Sequence, residues 1–432
     1  MELVNTTPYR FHAFDCSMGP TLPALSLIVK GTFRLKADEA AEALGEKEQQ
    51  GFRGDETYMD DLGRSLSYAT DLVAFKARGE VTVSATCYAE GGRPRAECDV
   101  AIGVGPIHKT LRVSGDRRWS KGGARSIGPT QPFESMSLRW ERAFGSLSFG
   151  ANPLGRGVEP SSPDPADDAI YLPNVEYPQR RVTSANDRPP PAGFGPVSPN
   201  WLPRAQRQGT RDQRWAAFRA PLPPLDFDAR FYNAAPDDQQ LDEGTFFRGD
   251  EPVTLTNLHR ELPQFSSRLP GKRLRVFLSL RGPGESPRFV EAPMCLDTVA
   301  IDAEKDELVL VWRRPVKVSS PAHPEIEAVY IAEEDLATEP LSPAEHYARY
   351  RTLRPVKLSE AEAMQAEMDA QMAEANKVLR ESNVDPKLTK QVEETKDPKD
   401  VLTILMQFAQ LKILELEAAT AKLKSSPRKP AA

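Results

Sequence analysis

Alternating apolar and polar residues recur between residues 25 and 315 at a period of two, which is typical of β-strands with one buried face. The clearest example is the stretch LSLIVKGTFRL at 25–35. Its apolar face is formed by Leu25, Leu27, Val29, Phe33 and Leu35. Gly31 falls within the same face, and a glycine at that point predicts a β-bulge.

Similar alternation predicts an antiparallel meander after residue 80. Val81, Val83, Ala85 and Cys87 alternate with polar residues, and the turn sequence GGRPRA leads into CDVAIGVG and then HKTLRV. The stretch at 38–48 is rich in Ala and Glu instead, so it is compatible with either a surface helix or a flexible insertion.

Three more stretches complete the predicted strands. Residues 136–144 predict a strand whose one face carries Met136, Leu138 and Trp140. Residues 273–281 alternate apolar residues with arginines, and residues 296–302 and 308–312 predict a hairpin about the polar turn AEKDE.

Prolines separate these two groups of strands. The chain contains 39 prolines, and they concentrate between Pro153 and Pro236. Because proline has no backbone N–H to donate, this block disfavours both long helices and central strands. Aromatic residues in the first part of this block, Tyr171, Tyr177, Phe194 and Trp201, favour an ordered segment.

Strand patterns on both sides of the proline-rich block predict a mainly β fold: an antiparallel β-rich domain with a long proline-rich insertion, followed by a C-terminal helical region. The predicted boundaries are 1–150 and 241–338 for the two parts of the β-rich domain and 151–240 for its ordered insertion. The helical region with a disordered tail spans 339–432.

The insertion ends in an unusual stretch, residues 199–239, which mixes tryptophans, arginines and aspartates with prolines. Because irregular backbone is costly to order, we expect side chains to fix this stretch. The residues predicted to form a buried lock against the β core, or a partner-binding surface at its outer edge, are Trp201, Arg204, Asp212, Trp215, Asp226, Asp228 and Arg230. Within the lock, Arg230 is expected to neutralise Asp226 or Asp228 in a buried pair.

The C-terminal region has helix signals. Ser342, Pro343 and Glu345 form a capping-box sequence, and Ser359 with Glu362 repeats it. Met364, Met368 and Met372 then share one helical face, and a last helix at about 398–424 is apolar on several sides. These methionines, with Leu405 and Phe408, are a candidate surface for a partner helix, and packing onto the β domain is the alternative.

Composition narrows the function classes. The formal net charge of −6 over 432 residues does not match nucleic acid or an anionic membrane, and no apolar run is long enough to span a bilayer. Four cysteines without metal-type spacing are expected to be reduced. The amino terminus has no secretory signal pattern, so we expect a cytoplasmic protein.

Catalytic motifs are not evident. The five histidines have no zinc-protease or nucleophile-elbow context, and Gly103 and Gly105 lack the third glycine of a phosphate-binding loop. Arg117, Trp119 and Trp140 belong to stretches that interleave basic and aromatic residues, for which Arg–Trp packing in a β core is the preferred interpretation over single-stranded nucleic-acid binding. We therefore expect a non-enzymatic protein without cofactor or metal.

A series of short motifs then carries a family resemblance. The series runs in order through LIVKGTF, VGPIHKTLRVSGDRRW, SLRWERAFG, NPLGRG, LPNVE, PAGFGP, WLPR, LPPLDFDARFYNAAPDDQ and LDTVAID. It resembles the bacterial domain-of-unknown-function family that is encoded beside type VI secretion spike genes. Ser146 departs from the family pattern, which has a second glycine there, and the region after about residue 340 lies outside the resemblance.

The resemblance implies an adaptor or chaperone that binds a toxic effector protein and helps load it onto the VgrG and PAAR spike proteins. Such a protein needs a presenting surface and no catalytic centre. Two other function classes remain open at this point: a carbohydrate-binding or carbohydrate-active β protein that uses aromatic and aspartate side chains, and a self-assembling structural subunit.

Overall fold

The computed structural model of the 432-residue chain describes residues 1–18, 23–120, 126–159, 169–281, 288–320, 323 and 325–353. The chain divides into two compact units, Met1–Leu353 and Arg354–Ala432. The second unit lies outside the described residues, so the helices predicted after residue 354 are not addressed by the structure.

Strands dominate the described residues. In the first part of the chain they are β1 (Glu2–Asn5), β2 (Arg10–Ser17), β3 (Pro23–Arg34), β4 (Glu42–Ala43), β5 (Glu56–Thr57), β6 (Leu66–Tyr68), β7 (Glu80–Ser84), β8 (Thr86–Tyr88), β9 (Glu97–Val104), β10 (Ile107–Ser114), β11 (Ser135–Ser137) and β12 (Phe144–Gly145). The later ones are β13 (Arg156–Gly157), β14 (Val175–Glu176), β15 (Pro252–Thr256), β16 (Gln264–Arg268), β17 (Lys272–Leu280), β18 (Arg288–Glu291), β19 (Cys295–Asp302), β20 (Glu307–Lys317) and β21 (Ile326–Asp335).

Helices are short in the same residues. They are α1 (Leu202–Ala205), α2 (Gln213–Phe218) and α3 (Pro343–Leu353), together with single 3₁₀ turns such as Trp140–Arg142 and Asp237–Gln239. The mainly β fold class predicted from the sequence is confirmed.

Three sheets form the scaffold. One has six strands, ordered β2-β3-β20-β19-β7 with β4 beside β3; one has five, ordered β14-β10-β9-β15-β16; and one has four, ordered β1-β21-β17-β18. Most neighbours are antiparallel, whereas β1 pairs with β21, β7 with β19 and β12 with β13 in parallel. Strands from before and after the proline-rich block pair directly, as β3 does with β20 and β9 with β15.

The sheets share one large hydrophobic core. It contains Leu27 of β3, Val83 of β7, Leu111 of β10 and Val276 of β17, together with Phe194 from the proline-rich block. The predicted face of β3 is confirmed, because all five of its apolar residues are buried in this cluster. Burial of so much apolar surface is the main favourable term for such a fold.

Helix α3 covers a second apolar cluster on the outer face of the four-stranded sheet. Tyr350 of α3 packs against Phe289, Phe277 and Tyr330 there. The capping box predicted at its start is confirmed, because the Ser342 hydroxyl accepts from Glu345 N at 3.3 Å and the Glu345 carboxylate accepts from Ser342 N at 2.8 Å.

The predicted bulge at Gly31 is wrong. Gly31 pairs in register with Leu310, and β3 runs through this point without a shift. A Cβ at Gly31 would lie 2.7 Å from the Phe33 ring and 2.9 Å from the Tyr9 ring. The glycine therefore gives space to two aromatic rings instead of bending the strand.

Two other sequence interpretations change. The segment at 38–48 is neither a helix of any length nor a loose insertion, since it contains β4 and a 3₁₀ turn at Glu46–Glu48. The meander is correct only for the hairpin of β9 and β10, because β7 pairs with β19 and β8 with β11. Alternation defines the two faces of a strand but does not identify the strand with which it pairs.

The single strand predicted at 136–144 is also wrong. Met136, Leu138 and Trp140 are buried as expected, but the backbone turns through the 3₁₀ helix Trp140–Arg142. The Asn152 side-chain amide donates to Trp140 O at 2.8 Å and Phe144 O at 3.1 Å. The Asn152 side chain thus binds carbonyl oxygens that a neighbouring strand would otherwise bind.

Candidate functional site

A cavity of about 640 Å³ opens where the proline-rich block meets the β scaffold. Its walls come from chain stretches that are distant in sequence: Trp140 and Ala151, residues 177–191, residues 197–207 and residues 235–238. The volume is in the range of pockets that bind small molecules or a short stretch of peptide.

The floor of the cavity is apolar and rigidly held. The Trp140 indole donates to Pro196 O at 2.9 Å, and its ring meets that of Trp201 edge-on at 5.8 Å between centroids. Gly193 passes over the Trp140 ring so closely that a Cβ there would lie 3.2 Å from three of its atoms. Val197 and several prolines continue this apolar lining.

One wall is held by a buried lysine. Lys109 of β10 donates through Nζ to Gly193 O at 2.7 Å, Asp238 Oδ1 at 2.8 Å and Gln239 Oε1 at 2.9 Å. Tyr177 donates to the other oxygen of Asp238 at 2.8 Å. Burial lowers the pKa of Lys109 to about 8, an effect that Asp238 opposes.

A buried glutamate anchors the neighbouring stretch. Glu80, at the start of β7, accepts from Asn233 Nδ2 at 3.0 Å and from the backbone N–H groups of Ala234 at 2.8 Å and Ala235 at 3.1 Å, and it pairs with Lys76. Burial opposes its charged form, yet the Lys76 ammonium and these donors hold its pKa below the ordinary value. Hydrogen bonds to a carboxylate of this kind fix backbone that has no sheet partner.

Gln239 completes the attachment. Its side-chain amide donates to Val81 O at 2.7 Å and Phe194 O at 2.9 Å, while its oxygen accepts from Lys109. The stretch at 233–239 is thereby fixed to β7, to β10 and to residues 193–194 at once.

Three arginines around the cavity differ in their burial and in their ion pairing. Arg204 is 5% exposed and donates to Val197 O at 2.7 Å and Phe231 O at 3.0 and 3.1 Å. Arg207 pairs with Asp237 at 3.1 Å, and Arg180 is exposed at the rim. Burial lowers the pKa of Arg204, while Glu80 and Asp55 oppose that shift from beyond ion-pair distance.

The residues predicted to form a buried lock separate into two groups. Trp201 and Arg204 are buried as expected, and they support the floor and wall of the cavity. The remaining members are half-buried or exposed on a surface loop, and they are Asp212, Trp215, Asp226, Asp228 and Arg230. The expected burial is therefore wrong for this second group, and the role of the set in partner binding stays a prediction.

Local hydrogen bonds explain why the surface loop needs no burial. Asp212 caps α2 by accepting from Trp215 N at 2.8 Å, and Asp226 accepts from Thr210 N at 2.9 Å. Asp228 pairs with Arg230 two residues later, with side chains that are 30% and 43% exposed. Each aspartate satisfies nearby backbone or its neighbour, so the loop folds onto itself.

Other predicted positions lie elsewhere. Met364, Met368, Met372, Leu405 and Phe408 are outside the described residues. The four cysteines are all free, as expected. The described residues contain no cluster of His, Cys, Asp and Glu side chains suited to a metal ion and no helix long and apolar enough to cross a membrane.

Sequence reasoning missed the lysine and glutamate that anchor the insertion. A signal for Lys109 was present, because it shares the buried face of β10 with Ile107, Leu111 and Val113. A lysine within an apolar face indicates a buried amine with specific partners. Glu80 gave no such signal, since it is the first residue of β7.

The arrangement is suited to binding. It offers an apolar floor, charged groups at the wall and rim, and walls fixed by buried ionic hydrogen bonds.

The chain was also compared with known proteins. Residues 22–313 match the family described as an uncharacterized protein conserved in bacteria (DUF2169). No curated protein and no solved structure matches the chain. Because the family match spans well over half of the chain, the protein belongs to this bacterial family.

Proposed function

We propose that this protein is a non-enzymatic adaptor that binds a toxic type VI secretion effector and helps load it onto the VgrG–PAAR spike. The proposal begins from the sequence resemblance, which alone supplies the link to type VI secretion. Its structural support is the cavity, where a segment of the effector would dock.

The observation that carries the proposal is the convergence of the resemblance motifs around the cavity. SLRWERAFG provides Trp140, and WLPR provides Arg204. PAGFGP provides Pro191 and also Gly193, which lies against the Trp140 ring. NAAPDDQ provides the wall at 235–238, and VGPIHKTLRV provides the lysine that holds this wall in place. Motifs that are far apart in sequence thus line or support one cavity.

Fixed walls are what an adaptor of this kind requires. Lys109, Glu80 and Gln239 attach the insertion to two strands of the β scaffold, β10 and β7. A surface that is ordered before binding loses less conformational entropy when a partner docks, so more of the contact energy appears as affinity.

The test is complex formation between the full-length chain and the products of reading frames encoded beside its gene. Each candidate is co-expressed with the chain and examined by size-exclusion chromatography with light scattering, with VgrG and PAAR added afterwards. We expect a defined complex with a toxin-type product and its transfer to the spike. Failure of every neighbouring product to bind would overturn the adaptor proposal.

A cavity variant connects this test to the site. Arg180→Glu reverses a charge at the exposed rim, and Arg248→Glu makes the same change at an arginine that is 75% exposed and does not line the cavity. We expect weaker effector binding for the first variant and unchanged binding for the second. Saturable binding of an oligosaccharide in the cavity, lost in Arg180→Glu, would favour the carbohydrate class instead.

A further inference from the structure

Arg204 places a buried positive charge in the wall of the cavity. The residue is 5% exposed, and its guanidinium donates to the backbone carbonyls of Val197 and Phe231. Among the described residues no carboxylate forms an ion pair with it. Buried charges are ordinarily paired, because an unpaired one loses hydration without recovering an equivalent interaction.

The acidic residues of the cavity are already engaged. Asp237 accepts from Arg207 at 3.1 and 3.3 Å. Asp238 accepts from Lys109 and from the Tyr177 hydroxyl, both at 2.8 Å. Within the described part of the chain, neither carboxylate forms an ion pair with Arg204 or with the exposed Arg180.

The cavity therefore carries an excess of positive charge. Its lining has Arg180, Arg204 and Arg207 against Asp237 and Asp238, and Lys109 lies directly behind Asp238. An anion entering the cavity would meet two guanidinium groups without carboxylate partners. Guanidinium groups favour carboxylates in particular, because their planar N–H groups match the two carboxylate oxygens.

An apolar surface adjoins this charge. Trp140, Val197 and Pro203 line the same cavity, and the Trp140 indole N–H is already satisfied by Pro196 O. This part of the cavity suits an aromatic or aliphatic side chain and offers it no further polar group from the indole.

We propose that the cavity takes a partner peptide segment in which an Asp or Glu side chain lies beside an aromatic or aliphatic residue. The carboxylate binds at Arg204 and Arg180, and the apolar side chain lies on the surface around Trp140. This inference rests on the proposed adaptor function, since it names the chemistry of the effector segment.

The direct test uses synthetic peptides and the full-length chain. Acetyl-Phe-Glu-amide is compared with acetyl-Phe-Gln-amide by saturation-transfer NMR and by titration. The two peptides match in size and differ in charge, so we expect the Gln peptide to bind at least about tenfold more weakly. The affinity of the Glu peptide should also fall as salt is added. Equal binding of the two peptides would overturn the proposal.

A third peptide, acetyl-Phe with a free carboxyl terminus, separates two sources of the carboxylate. If it binds and the Glu peptide does not, the site recognises a chain terminus, and the side-chain proposal is wrong.

Variants locate the contact. Arg180→Gln and Arg204→Lys should each weaken binding of the Glu peptide, whereas Arg248→Gln should leave it unchanged. Thermal unfolding of each variant shows whether Arg204→Lys has kept its fold. If it has not, the peptide pair and the exposed Arg180 variant still decide the question, because neither depends on replacing a buried residue. Equal affinity of Arg180→Gln and the wild type for the Glu peptide would exclude the rim contact.

The outcomes for this site and for the adaptor function are distinguishable. The peptide comparison contains no effector and no spike protein. Carboxylate discrimination without an effector complex would leave the site intact in a protein of another function. An effector complex that is insensitive to the Arg180 change would instead preserve the adaptor function and remove this site.

Discussion

At the scale of single residues, the Lys109 amine joins the β9–β10 hairpin to two stretches of the insertion. Replacing it with methionine keeps most of the side-chain volume and leaves Gly193 O, Asp238 and Gln239 without their donor. We expect Lys109→Met to lower the free energy of unfolding by about 1–3 kcal/mol, measured by urea denaturation near neutral pH.

Lys305→Met is the matched control for that change. Lys305 is a surface lysine, 64% exposed, that pairs with Asp302. Exposed pairs of this kind contribute at most about 1 kcal/mol. Equal destabilisation by the two variants would show that the contacts of Lys109 do not hold the insertion in place.

The same lysine predicts a pH dependence. Burial lowers its pKa from 10.5 to about 8, so between these values the unfolded chain binds a proton that the folded chain has lost. The free energy of unfolding should therefore rise with pH across this window. Below the window the lysine is charged in both the folded and the unfolded chain, so the full cost of burying its charge lowers the stability. We expect the stability difference between wild type and Lys109→Met to shift in favour of the wild type over the same window. A difference that stays constant with pH in urea titrations would contradict this assignment.

Asp228 belongs to the weaker class of ionic contacts. Its pair with Arg230 is partly exposed on both sides, although Asp228 also accepts from Arg230 N at 2.9 Å. We expect Asp228→Ala to cost about 1 kcal/mol, well below the roughly 3–5 kcal/mol of a broken buried pair. A large fall in melting temperature would show that the surface loop contributes more to the fold than its exposure indicates.

At the scale of elements, helix α3 depends on its first turn. Ser342 and Glu345 exchange hydrogen bonds there, and two turns later Tyr350 packs on Phe289 and Tyr330. We expect Ser342→Ala to destabilise the helix by about 1 kcal/mol, seen as faster amide hydrogen exchange within α3. Ser342→Thr retains the hydroxyl and serves as the control. Unchanged exchange in the alanine variant would mean that packing alone fixes this helix.

The elements also show how far sequence alone could predict this fold. Strands β3 and β17 were predictable because their apolar faces repeat at period two over long stretches, and β19 and β20 because two apolar stretches flank the polar turn AEKDE. The turn at 140–142 was not, because it depends on an amide from Asn152 that sequence spacing cannot place. Side-chain hydrogen bonds between separate segments leave no periodic pattern in the sequence.

The candidate site was predictable only in part for the same reason. Trp201 and Arg204 stood out by residue type; Arg204 lines the cavity, and Trp201 packs against the lining residue Trp140. Lys109, Glu80 and Gln239 come from distant parts of the chain and meet only in the folded protein. Aspartates beside an arginine, such as Asp226 and Asp228 near Arg230, resemble a buried pair in the sequence, whereas each accepts a hydrogen bond from nearby backbone in the folded protein.

At the scale of the whole molecule, the β-rich unit contains its own stabilising contacts. Its sheets, its hydrophobic core and helix α3 all lie within Met1–Leu353. The chain from residue 354 carries the predicted partner-helix residues, and the adaptor proposal gives that region a share in effector binding. Folding and effector capture should therefore respond differently to its removal.

Deletion of residues 354–432 provides the test. We expect the truncated chain to unfold cooperatively in denaturant with a midpoint close to that of the full-length chain, because the large core stays intact. Its affinity for any effector identified by co-expression with the full-length chain should fall, since the apolar residues around Leu405 are absent. The Glu-peptide affinity should not change, because the described residues that line the cavity all precede residue 354. If the truncated chain captures the effector with full affinity, the region after Leu353 is not an effector surface, and the β-rich unit alone would account for recognition.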